Sequence, residues 1–81
     1  MTNEELNTAL YEKLFAEQQD FKGWLVKQPS EEILKHAYEY VIREDIVIEM
    51  EYHDLTDEEA KALLADKKPL QSIYNIYEDL E

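Results

Sequence analysis

REDIVIEMEY, residues 43–52, can be read as a strand or as a helix, and the fold class follows from the choice. Ile46, Ile48, Met50 and Tyr52 alternate with Glu49 and Glu51, which is the period of a half-buried strand. Val47 breaks that alternation, and upstream Ile33, Ala37, Val41 and Ile48 recur at helical spacing. The stretch therefore reads as the C-terminal half of a helix spanning residues 31–52, roughly 33 Å long at 1.5 Å per residue.

The flanking sequence supports the same period. Thr2 and Glu5 have capping-box spacing, and Leu6, Leu10, Leu14, Phe21, Trp24 and Leu25 follow on one face, predicting a helix over 3–26. Pro29 disfavours helix at Gln28, and Ser30 is a good N-cap for the second helix. Thr56 with Glu59 forms a second capping box, and Leu55 with Ala60 a hydrophobic staple, so a third helix spans 57–66. Lys67 and Lys68 suit its C-terminus, and Pro69 suits the first turn of a fourth helix over 70–80, with Leu70, Ile73, Tyr74, Tyr77 and Leu80 on one face. The expectation is an all-α bundle of three to four helices in a single domain, residues 1–81, with the second helix as its central scaffold. At 81 residues such a domain buries only about 60% of its unfolded surface, so support from a partner or a second copy is a natural option.

On a helical wheel the second helix is apolar on two sides. Ile33, Leu34, Ala37, Tyr40, Val41, Val47, Ile48 and Tyr52 form a broad arc. Ile42, Ile46 and Met50 form a second stripe at four-residue spacing, flanked by Glu39, Glu49 and His53 as a polar rim. Either both stripes are covered inside the bundle, or the second one meets a partner. Glu44 and Asp45 fall within the broad arc and Glu17 within the corresponding arc of the first helix. Buried carboxylates need a pairing partner, for which Lys13, Arg43 and tyrosine hydroxyls are available.

Charge is concentrated around the same helix. Residues 39–59 carry nine carboxylates against the single base Arg43, a net −8 of the chain's formal −12. Direct binding of nucleic acid or anionic lipid is disfavoured by that sign, and a basic protein partner is its complement. Glu58 and Glu59 extend the acidic surface beyond the second helix. With no cysteine there is neither disulfide nor cysteine-ligated zinc, which suits the cytoplasm, and no apolar run approaches the roughly 20 residues of a membrane span.

Catalytic and cofactor signatures are missing. Glu32 with His36 and Glu49 with His53 have i, i+4 spacing, but no HExxH motif accompanies them, so no metal site is predicted. Ser30 and Ser72 have no nucleophile context, and a chain with one glycine has no phosphate loop. The expectation is a protein that is not an enzyme and takes no cofactor.

Read in order, NEELNTALYEKLFAEQQDFKGWL, HAYEYVIREDI and DLTDEEAKALL resemble a domain-of-unknown-function family found in bacteria and their phages or mobile elements. The resemblance implies a genomic setting and no defined chemistry, and similar segments look like an N-terminal module of longer chains. Two functions fit these features. One is a small acidic interaction module that docks on a basic protein, or on its own copy, through Glu39, Ile42, Ile46, Glu49, Met50, His53, Glu58 and Glu59. The other is a phage-type acidic inhibitor whose carboxylates imitate nucleic acid and block a host defence enzyme.

Overall fold

The computed structural model of the protein describes residues 1–80, without the side chain at position 80. Four helices follow one another: α1 Asn3–Leu25, α2 Ser30–Tyr52, α3 Asp57–Ala65 and α4 Pro69–Leu80. No strand occurs among the described residues, and each helix begins and ends within one residue of the bounds expected from sequence. The expected place of Leu80 on the inward face lies outside the described side chains.

Local signals set the ends. Both capping boxes form: Thr2 Oγ1 accepts from Glu5 N–H at 3.2 Å and Thr56 Oγ1 from Glu59 N–H at 3.2 Å. The two glutamates reach back to the cap amides at 2.9 and 3.0 Å. Those bonds favour the charged carboxylates, so the backbone N–H of Thr2 holds Glu5, and that of Thr56 holds Glu59, below the ordinary carboxylate pKa. Ser30 departs from expectation. It is the first helical residue of α2, with Pro29 at the N-cap and no side-chain cap bond. The Pro29 carbonyl already accepts from Glu32 and Ile33 N–H, so helical pairing begins one residue earlier than the serine reading required.

The scaffold is α1, where sequence pointed to α2. Both helices have 23 residues, but α1 packs against all three other helices, whereas the main contacts of α2 are with α1 and α4. Leu6, Leu10 and Leu14 of α1 join Ile46, Val47, Ala60 and Leu70 in one buried cluster. Polar residues of α1 tie down what the others leave open. Asn7 accepts from Leu55 N–H at 2.8 Å and donates to the Leu55 carbonyl at 3.0 Å, with Asn3 donating to the same carbonyl at 2.9 Å. Together they fix the link between α2 and α3. Lys13 donates to the carbonyls of Leu64, at 2.7 Å, and Asp66. It thus serves the C-terminus of α3, a role that the sequence assigned to Lys67 and Lys68; both of those are exposed.

Trp24, expected in the core face of α1, is 46% exposed, and its place in that row is taken by Gln18 at 1%. Gln18 donates to Glu44 at 3.0 Å and to the Tyr40 carbonyl at 3.3 Å, joining α1 to α2, while its own carbonyl oxygen has no partner.

Candidate functional site

The inward face of α2 centres on a charge. Arg43 is 3% exposed, and its Nε and Nη2 both donate to Glu39 Oε2, at 2.9 and 2.8 Å. Nη2 also donates to Gln71, and Nη1 lies 3.8 Å from Glu17. The guanidinium stacks over Phe21, 4.4 Å from the ring centroid, with Tyr74 at 5.4 Å. One residue therefore links α1, α2 and α4. It is a buried cation satisfied by carboxylate, amide and aromatic faces together.

Glu17, one of the three expected buried carboxylates, has a more specific task than charge pairing. Its two oxygens accept from Leu70 N–H and Gln71 N–H, each at 2.9 Å, and so cap the N-terminus of α4 from a different helix. Glu44 is half-buried and accepts from Gln18. Asp45 was expected to be buried and is exposed, because it lies on the outward side of α2. Asp66 prepares α4 from below: the Ser72 hydroxyl, at 2.5 Å, and Lys68 N–H hold its carboxylate below the ordinary range.

The Ile42, Ile46 and Met50 stripe turns inward. Ile46 is 3% exposed, and Ile42 and Met50 pack against the same cluster. As a contact face for a partner this stripe is therefore corrected: α1 and the helices after it already cover it. Of its expected rim, Glu39 is spent on Arg43 and on His36, 3.2 Å away, whereas Glu49 and His53 are exposed, as are Glu58 and Glu59 of the acidic run beyond α2.

What α2 leaves exposed is the other side. Leu34, Tyr38, Val41, Ile48 and Tyr52 are between 47% and 75% exposed. Together with exposed Asp45 they fall at intervals of 4, 3, 4, 3 and 4 residues, the spacing of a coiled-coil seam. The row runs about 27 Å along the helix. Solitary exposed leucines need no explanation, but five exposed apolar residues at seam spacing, interrupted once by Asp45, on a highly charged protein do.

A cleft of about 600 Å³ opens beside Arg43, walled by Phe21, Trp24, His36, Asp20 and Lys68. Phe21 and Trp24 stack at 5.9 Å, and His36 meets Trp24 edge-on at 5.3 Å. The charges at its base, Arg43, Glu39 and Glu17, are taken up by one another and by α4. His36 lies against Glu32 and Glu39, and no group of three or more potential metal-ligating side chains comes together among the described residues. No described helix is long and apolar enough to cross a membrane.

Fold and surface together define a small all-helical bundle held by α1, with one long helix showing an apolar seam to solvent. The chain belongs to the family described as "Protein of unknown function (DUF3848)", whose model matches residues 6–81. No curated protein and no solved structure matches it.

Proposed function

We propose that the protein is an acidic helical interaction module, not an enzyme, and that it docks on another polypeptide through the outward face of α2. The observation that carries this reading is the exposed row from Leu34 to Tyr52 at seam spacing. An apolar stripe on a rigid helix recognises a second amphipathic helix, with affinity in the seam and selection in the rim. The C-terminal half of this face is acidic, with Glu49 and Glu51 on the rim and Asp45 within the seam, so the partner surface is cationic where it meets that half. The acidic run is less free for imitating nucleic acid than its composition implies, since Glu39 and Glu59 are engaged in structural bonds. A cytoplasmic setting in bacteria, their phages or mobile elements fits the absence of cysteine and the resemblance of the chain.

The test places a photoreactive residue singly at position 41 or 48 in the native host, with controls at position 12 on α1 and position 58 in the acidic run. Discrete adducts from 41 and 48, and none from the controls, are expected. Adducts from 58 alone would favour the acidic-inhibitor reading, and no adduct from 41 or 48 would overturn the proposal.

A further inference from the structure

Resting on that reading, we infer that the polypeptide seated on α2 is a second copy of this chain, with the two α2 helices antiparallel. The seam positions have a centre of symmetry in sequence at Arg43. About it, Leu34 faces Tyr52 of the other copy, Tyr38 faces Ile48, and Val41 faces Asp45. Every member of the row then has a counterpart. On the rim an antiparallel pair sets each flank against the matching flank of the other copy, so Lys35 lies across from Glu49, which shares its flank and is two residues short of the reflected position 51, twice by symmetry. Lys35 is the one cation on the rim, and it sits at the opposite end of the row from exposed Glu49 and Glu51, with exposed Glu31 near its own end. Its present partner is Glu32 at 3.3 Å, an exposed i, i+3 pair with Lys35 at 70%, which holds it weakly and leaves it free to turn across a seam.

A parallel pairing is worse on the same residues. It sets Asp45 against Asp45 in the seam and Glu44 against Glu49 on the rim, and it leaves Lys35 facing Ser30. Like charges directly opposed across a seam are costly, and polar seam residues set orientation for that reason. The antiparallel arrangement has one like-charge contact, Glu44 with Glu44, and that side chain is turned toward Gln18 of its own chain.

Long-range and short-range electrostatics have opposite signs in this dimer. Each copy carries −12, so approach is repulsive, whereas the Lys35–Glu49 contacts attract at close range. One helix pair is at the small end of specific interfaces, near or below roughly 1,200 Å². Association is therefore weak, and it strengthens as salt screens the net charge. A heterologous basic partner gives the opposite salt dependence, which separates the two occupants.

Because the chain has no cysteine, orientation can be read by disulfide trapping in the full-length protein. Leu34→Cys and Tyr52→Cys chains are prepared separately, then mixed and oxidised at concentrations from about 10 μM to about 1 mM. The inference expects a mixed disulfide between the two variants and little product from either alone. Products from each variant alone would overturn the antiparallel arrangement. Sedimentation equilibrium on the wild type checks self-association without cysteine: a monomer up to about 1 mM at high salt overturns the dimer. That result leaves the docking reading standing if position 41 still yields adducts to another protein in the host, so the two failures are distinguishable. Lys35→Glu should weaken the dimer about tenfold by turning two attractive contacts into repulsive ones, and adding Glu49→Lys should restore it to within about threefold. If the double variant does not recover, the assigned register is wrong.

Discussion

Glu17→Gln isolates the joint between α1 and α4. The carboxylate accepts two backbone N–H groups at 2.9 Å, and the glutamate side chain is only 14% exposed. Glutamine keeps the shape but offers one acceptor, and its amide N–H₂ confronts the second backbone donor. The change removes one charge-assisted hydrogen bond, worth about 1.5–3 kcal/mol net. It also removes a negative charge from a helix N-terminus, worth about 0.3–1 kcal/mol. Relaxation and solvent access return part of this, so a loss of about 2 kcal/mol is expected. For a domain of this size that lowers Tm by roughly 8–16 °C. Thermal unfolding followed by circular dichroism measures the shift, and amide exchange localises it, with Leu70 and Gln71 expected to lose protection first. An unchanged Tm together with protected Leu70 and Gln71 amides would refute the assignment of Glu17 as the cap of α4.

Two further predictions concern charge, one buried and one at the helix ends. Arg43→Met keeps most of the buried volume but leaves Glu39 and Glu17 without their cation, and stability measured by urea unfolding should fall by about 3–5 kcal/mol; a variant as stable as wild type would mean that the cation is dispensable. The capping carboxylates of Glu5 and Glu59 and the carboxylate of Asp66 have pKa values depressed below the ordinary 4.5, 4.5 and 3.8, so the unfolded chain takes up their protons first as pH falls. Their stabilisation is therefore complete above those ordinary values and is lost as pH drops through the depressed ones. Glu59→Gln should accordingly be less stable than wild type at neutral pH, with the difference disappearing in acid; a difference independent of pH would contradict the cap.

Helix ends were legible in the sequence because their signals are local. Thr2 with Glu5 and Thr56 with Glu59 act across three residues, and both boxes form as read. The face of α2 was misread for a physical reason. Its inward direction passes through Arg43, a residue that an apolar count places outside any core. With a charge at its centre, the buried face divides into two apolar arcs, Ile42, Ile46 and Met50 on one side and Val47 on the other. The broader arc then absorbed Leu34, Val41 and Ile48, which face solvent. A lone base among nine carboxylates, four residues after Glu39, was the available signal for a buried ion pair. The contacts of Asn7, Lys13 and Glu17 join residues 48 to 54 positions apart, and no local pattern announces them.

The central claim is that α2 keeps Ile46 for the core and offers the Leu34 to Tyr52 row for contact. Methyl NMR with a soluble paramagnetic agent reads both faces at once. In dilute protein the methyls of Leu34, Val41 and Ile48 should be strongly broadened and those of Ile46 and Leu14 little affected. On engagement of a second copy or another partner, Leu34, Val41 and Ile48 should become protected while Ile46 stays unchanged. Broadening of Ile46 in the free protein, or a bound state in which Val41 and Ile48 remain as accessible as before, would contradict it.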